Sequence, residues 1–192
     1  ALWERLWAPY DDNTYAHVLE LIPAGATVLE IGAGDLRLAK RIASRTRLVY
    51  AIENQAALLD DVSIPENMRL IYGDARAIPF PGGVDVAVLL MRHCTWIGLC
   101  LEKLVAAGCP RLITNARWRM GVELIDLTLE PSAYNELTIG WYACRCGATG
   151  FRPGQPEQLT ILVAESVAEV DRCPQCQRHG RQYHGWNRRR LT

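Results

Sequence analysis

Apolar residues along this chain fall into two kinds of run that alternate. Runs at 27–31, 48–52, 68–72, 84–90 and 111–116 are continuous, of strand length, and bounded by turn residues. Between them the apolar positions recur at helical spacing. Tyr15, Val18, Leu19 and Ile22 follow the helix-start signal Asp11-Asp12-Asn13. Leu36, Ala39, Ile42 and Ala43 share a face over about 35–45, and Ile97, Cys100, Leu101, Leu104 and Val105 do so over about 95–107. A short helix fits 55–62 and is closed by Pro65. Pro23-Ala24-Gly25, the Pro/Gly stretch 79–83, and Gly108 with Pro110 mark turns. This alternation predicts an α/β fold, Rossmann-like, with a mostly parallel sheet and helices on both faces. The unbroken run 84–90 suits a strand buried on both sides.

Past residue 118 the pattern changes. The segment 122–127 fits helix or strand equally. Residues 137–143 read as extended and lead into Cys144-Arg145-Cys146-Gly147. Residues 160–170 read as β-rich and lead into Cys173-Pro174-Gln175-Cys176. The expected division is a Rossmann-like domain over 1–118 and an extension over 119–192. A leading helix within 1–12 carries Trp3, Trp7 and Tyr10, which pack on the domain or cap its pocket.

Candidate chemistry sits where the strand runs end. Val28-Leu29-Glu30-Ile31 stops at Gly32-Ala33-Gly34-Asp35, and a helical pattern starts at once. Glycines there permit positive φ and a close approach of a ligand to the main chain. The second run ends in Glu53, 19 residues after Gly34, where an acid can accept from ribose hydroxyls. The third ends in Gly73-Asp74-Ala75, where a carboxylate can accept from an adenine amino group. Each acid alone also fits a solvated loop. In order, they line one sheet edge with a glycine turn and two carboxylates.

The series VLEIGAGD, AIEN, IYGDARAIPFPGG and VDVAVLL resembles class I S-adenosylmethionine-dependent methyltransferases over about residues 13–118. The resemblance implies S-adenosylmethionine held by Glu30, Gly32, Ala33, Gly34, Glu53, Asn54, Asp74, Ala75 and Leu90, with the methionine part at the glycine turn, the ribose at Glu53 and the adenine at Asp74. It departs from the family at Leu36, where a third small residue is common. A nicotinamide-binding domain is the rival, but its G-x-G-x-x-G would place Gly where Arg37 stands. In this family the tip of the fourth strand faces the transferred methyl. Here it reads Met91-Arg92-His93-Cys94-Thr95-Trp96, without the Asn/Asp-Pro-Pro-aromatic of the amino-methylating branch, which disfavours an adenine-N6 reaction. His93 is the candidate base, or else shapes the pocket. Arg92 is a candidate partner for the cofactor carboxylate or an anionic substrate.

The two cysteine pairs, C-x-C-G and C-P-x-C, lie 26 residues apart. Cys144, Cys146, Cys173 and Cys176 suit a tetrahedral, structural Zn²⁺ in a zinc-ribbon-like module, with a pair of disulfides or an iron–sulfur cluster as alternatives. His179 and His184 are spare ligands. Cys94, Cys100 and Cys109 read as buried small apolar residues.

Composition narrows the setting. The chain has 192 residues, 49% hydrophobic and 22% charged, with zero formal net charge. Those values are ordinary for a globular protein, and the zero net charge means that the chain as a whole is not an evident polyanion binder. No run reaches membrane-spanning length, and ALWERLWAPYDDNTY lacks a signal-peptide core, so a cytoplasmic protein is expected. The tail 172–192 holds six Arg and no acid, with Tyr183 and Trp186 interleaved. That composition fits phosphate contact with base stacking, or a solvated terminus. The expectation is thus a methyltransferase with RNA as the favoured substrate. The alternatives are a protein or small-molecule methyltransferase with the zinc module as scaffold, and a non-catalytic binding module.

Overall fold

The computed structural model describes residues 10–60 and 62–178. The leading helix expected within 1–12, His179, His184 and the basic tail beyond 178 lie outside the described residues, apart from Tyr10 to Asp12. Helix α1 (Asp12–Leu21) begins where the Asp11 carboxylate accepts from Thr14 N at 2.7 Å. Strand β1 (Thr27–Ile31), helix α2 (Arg37–Ala43), β2 (Leu48–Glu53), β3 (Met68–Tyr72), β4 (Val86–Leu89), helix α3 (Ile97–Ala106), β5 (Arg111–Thr114) and β6 (Glu123–Asp126) follow. The helix expected over 55–62 is a single 3-10 turn, Ala56–Leu58.

The six strands order as β3-β2-β1-β4-β5-β6, parallel throughout except that β6 runs antiparallel to β5. Residues 122–127, undecided in the sequence, thus supply the edge strand. The first sheet therefore continues past the boundary expected at 118. Side-chain alternation splits the core in two. Val28, Val49, Val86 and Val88 face α1 and α2, where Val18 and Ile42 are fully buried. Leu29, Ile31, Ala87, Leu89 and Leu112 face α3, where Cys100 and Leu104 are fully buried. Cys94, Cys100 and Cys109 are all buried, and burial raises each thiol above its ordinary pKa. The chain winds outward from β1 to β3, then returns to β4 beside β1. That reversal opens a crevice at the carboxyl ends of β1 and β4.

A second sheet orders as β7-β10-β8-β9, from β7 (Ser132–Ala133), β8 (Gly140–Cys144), β9 (Thr149–Arg152) and β10 (Val167–Asp171). Residues 160–170, expected to be β-rich, are strand only from Val167, because Thr160 caps a helix. Its hydroxyl accepts from Val163 N at 3.2 Å, and α4 (Ile161–Glu165) precedes β10. Ile161 and Leu162 are 77% and 79% exposed there, so their apolar character marked no buried strand. Helix α5 (Pro174–Arg178) follows β10. Among the described residues no helix is long and apolar enough to cross a membrane.

The sheets meet at a buried charge. The Arg117 side chain is 1% exposed. It donates through Nε and Nη2 to Glu123 of β6 at 3.1 and 3.0 Å, and through Nη1 and Nη2 to Glu169 of β10 at 2.8 and 2.7 Å. Burial works against the guanidinium's charge, but both carboxylates outweigh it and raise its pKa further. Arg145 Nε lies 2.7 Å from Glu169 Oε1, out of line for a hydrogen bond, while its Nη2 donates to the carbonyls of Asp126 and Leu129 at 3.0 and 3.3 Å. Removing one member of such a network strands the others. Arg117→Met should therefore cost about 3–5 kcal/mol in urea unfolding. A loss below about 1 kcal/mol would show that the carboxylates find water instead.

Candidate functional site

The crevice at the switch point is a cleft of about 670 Å³. Every cofactor residue expected from the sequence lines it. Glu30, Gly32, Ala33 and Gly34 come from the tip of β1, Glu53 and Asn54 from β2, Asp74 and Ala75 from β3, and Leu90 and His93 from the segment after β4. Tyr10, read as a cap or as packing, is also at the wall, while Trp3 and Trp7 lie outside the described residues.

The glycine turn is built from β1 against the tip of β2. Gly32 N and Ala33 N both donate to the Ile52 carbonyl at 2.9 Å. Gly32 and Gly34 have φ of +74° and +56°, which side chains disfavour, and a Cβ on Gly32 would sit 3.3 Å from Met91 Cε. Leu36 shares the left-handed region at φ +64° although it is fully buried. Such backbone costs about 1–2 kcal/mol for a non-glycine residue. The large residue that departs from the family pattern is thus a core anchor that turns the chain into α2.

Glu53 does more than the sequence disclosed. Its Oε2 accepts from Gly34 N at 2.7 Å, and its Oε1 accepts from Asn54 N and Gln55 N at 2.8 Å each. The carboxylate therefore ties the glycine turn to β2. Of roughly four lone-pair sites on an ionised carboxylate, about one remains for a ligand. Sequence spacing marked Glu53 as a ligand residue, but nothing in it disclosed the bond across to Gly34.

Among the described residues the cleft is lined by four acids and three arginines, and its acids are unequal. Glu30 is 6% exposed, and its Oε2 has no hydrogen-bond partner. Burial pushes its pKa well up, and the charges of Asp35 and Glu53 push it further. Burial also raises Asp35, but hydrogen bonds from Arg37 more than offset this and lower it. Asp74 is held at about 2 by hydrogen bonds from the Arg76 side chain and main-chain N–H. Its partner is two residues away, a pairing visible in the sequence but not weighed there. Tyr15 is another lining residue that the sequence placed only on a helix's buried face. At the rim, Arg92 and His93 are exposed, and the Arg92 guanidinium lies 4.6 Å from the centre of the Tyr10 ring.

The second sheet brings its cysteines together for a topological reason. β8 and β10 are parallel, with Cys144 in register with Val170, so both cysteine turns leave the sheet at the same end. Sγ separations are 3.6 Å for Cys144–Cys176, 3.6 Å for Cys146–Cys173 and 3.8 Å for Cys173–Cys176, and all four sulfurs lie within 4.8 Å of one another. A tetrahedral metal with 2.3 Å metal–sulfur bonds sets its ligands about 3.8 Å apart. The cluster has the donors and spacing to hold one metal ion. The buried core around it is Cys144, Val170, Cys173 and Cys176, so cysteine itself forms most of that core.

No family model matches the chain. Among curated proteins it is 34% identical over 73 residues to the "Probable ribosomal RNA small subunit methyltransferase A" of Pyrobaculum aerophilum, covering 37% of this chain and 32% of that protein. It is 44% identical over 78 residues to the like-named protein of Methanosarcina mazei, covering 38% and 28%. The chain spans about a third of the length of the curated relatives it matches. Solved structures similar to it include the YcgJ protein of Bacillus subtilis (17% identity, TM-score 0.48, 54% of this chain and 50% of that one). Another is a dimethyladenosine transferase from Plasmodium falciparum (18%, TM-score 0.47, 54% and 41%).

Glu30 sets a pH dependence that can be measured. Its folded-state pKa lies above the unfolded value near 4.5. The native state therefore binds the extra proton between those values, and stability declines as pH rises from about 4.5 to the raised pKa. Glu30→Gln should flatten that decline and raise the melting temperature at neutral pH. Asp74 acts in a separate window, losing its contribution as pH falls from 3.8 towards about 2. Parallel melting-temperature profiles for wild type and Glu30→Gln above pH 5 would refute the assignment to Glu30.

Proposed function

We propose that this chain is an S-adenosylmethionine-dependent methyltransferase acting on RNA, with a structural Zn²⁺ in its second sheet. The observation that carries the reading is the convergence of the glycine turn, Glu53 and Asp74 on one cleft at the switch point. The fit is chemical as well as spatial. Glu30 offers a buried oxygen without a partner and Glu53 keeps about one acceptor position, while Asp35 and Asp74 are already paired with Arg37 and Arg76. A ligand with an ammonium and hydroxyl donors would satisfy those open acceptor positions. When bound, S-adenosylmethionine supplies a methyl group made electrophilic by its positive sulfur. The chain's own work is to bind and orient. Gly32 and Gly34 would let the ligand's amino-acid part approach the backbone, the acceptor position left on Glu53 would serve the ribose, and Asp74 with Ala75 would hold the adenine. His93, exposed in the cleft lining, is the candidate to take the acceptor's proton, with catalysis otherwise coming from alignment and exclusion of water.

RNA is favoured by the names of the curated relatives and by the rim. Exposed Arg92 and Arg119 stand just past β4 and β5, neighbouring strands whose ends open on the same edge as the cleft. Each stacks its guanidinium on an aromatic ring, Tyr10 at 4.6 Å and Trp118 at 5.0 Å. Guanidinium beside aromatic is a pairing suited to phosphate and base. The four-cysteine site closes a metal's coordination shell, which suits a structural ion. The units of the chain are then the six-stranded sheet through Leu127 and the cysteine module from 132 onward.

Cofactor binding, metal content, hydrogen exchange and the salt dependence of RNA affinity test this reading. S-adenosylhomocysteine should bind by calorimetry where NAD does not. Glu53→Ala should weaken it by about 1.5–3 kcal/mol, since an ionised acceptor and the anchor of Gly34 are lost together. Selective NAD binding, or full affinity in the variant, would overturn the cofactor assignment. Elemental analysis should find one Zn²⁺ per chain. Cys176→Ser should lose hydrogen-exchange protection over 140–173 while β1 to β5 keep theirs. Zinc-free wild-type protein with a protected second sheet contradicts the metal reading. An RNA affinity that ignores salt contradicts the substrate reading.

A further inference from the structure

The cysteine turn and the cleft belong to different sheets, yet one helix touches both. Gly147 closes the turn after Cys146, with its N–H donating to the Cys144 carbonyl at 2.8 Å. Its φ is +97°, and a Cβ built on it would lie 2.3 Å from Ile97 Cγ2. That is interpenetration, so the turn can sit where it does only because residue 147 has no side chain. Ile97 is 2% exposed and is the first residue of α3. The segment just before it, which includes Leu90, His93 and Trp96, is a wall of the cleft.

The same helix reaches the other wall. Lys103, six residues on, donates through Nζ to the carbonyls of Ala75 and Ile78, and its ammonium lies 4.4 Å from the centre of the Phe80 ring. Those carbonyls belong to the segment after β3, whose Gly73, Asp74 and Ala75 also line the cleft. Helix α3 is therefore pressed by the cysteine turn at its start and grips the Asp74 segment farther along. A shift of α3 carries the His93 wall with it through the main chain, but reaches the Asp74 wall only through the Lys103 side chain, so it changes the spacing between them.

We propose that Gly147 is a positioning residue for the cleft. Seated on Ile97, the cysteine turn fixes α3 and so sets the spacing between the His93 and Asp74 walls, which makes metal and cofactor bind cooperatively. This rests on the reading of the cleft as the S-adenosylmethionine site and of the cluster as a Zn²⁺ site. Metal loss frees the two cysteine turns from one another, and Gly147 then no longer holds the start of α3. Coupling of this kind is reciprocal: the factor by which metal improves cofactor affinity is the factor by which cofactor improves metal affinity.

The test uses the full chain. S-adenosylhomocysteine is titrated calorimetrically into the zinc-bound and the chelator-stripped protein. Zinc affinity is measured separately, against a chromophoric chelator, with and without saturating S-adenosylhomocysteine. Both affinities should change by the same factor, about tenfold. Gly147→Ala, checked to retain one zinc, should lose a similar factor in S-adenosylhomocysteine affinity, and adding Ile97→Ala, which removes Cγ2, should restore part of it. Zinc affinity that ignores S-adenosylhomocysteine overturns the proposal, as does a zinc-bound Gly147→Ala that binds it like wild type. Should that variant not fold, the wild-type pair of titrations decides alone. Zinc-bound wild type that binds no S-adenosylhomocysteine refutes the cofactor reading instead, and wild type that takes up no zinc refutes the metal reading.

Discussion

A guanidinium with 1% of its side chain exposed must be neutralised where it stands, and Arg117 imposes that constraint on the whole chain. It follows β5 in the first sheet, and its carboxylate partners come one from each sheet, Glu123 on β6 and Glu169 on β10. The second sheet is docked by charge at this point and by aromatic packing beside it. Trp118 meets Trp141 edge to face at 5.5 Å, and Trp141 meets Phe151 at 5.0 Å. Directional bonds to Arg117 specify an orientation that apolar contact alone would leave looser. The cysteine turn inherits that orientation, since Arg145 within it reaches back to the carbonyls of Asp126 and Leu129.

The cleft is ordered by a second use of charge. Glu53 holds Gly34 through a 2.7 Å bond, and the Ile52 carbonyl holds Gly32 and Ala33. The glycine turn is thus fixed by β2 before any ligand arrives, and a preorganised turn saves a ligand the cost of ordering it. Beside it Glu30 remains buried and without a partner on Oε2. An unmatched buried carboxyl destabilises the free protein, and it becomes an asset when a cationic group fills the cleft.

The chain's own pattern determined a good deal. Strand and helix periodicity gave the parallel sheet and the helices on both faces, because burial on two faces demands continuous apolar runs and burial on one demands a stripe. The glycine turn, Glu53, Asp74 and the four cysteines were legible too, because a parallel sheet delivers every strand tip to one edge and so turns order in sequence into neighbourhood in space. Tertiary structure alone decided the rest. Residues 122–127 became a strand because β5 offered an open edge, and 160–165 became partly helical through one Thr160 cap, both choices between states that local propensity barely separates. The bond from Glu53 to Gly34, the pairing of Arg117 with Glu169, and the seat of Gly147 on Ile97 join residues 19, 52 and 50 positions apart. Such contacts follow from how the elements pack, and no period or spacing along the chain encodes which distant side chain packing will bring within reach.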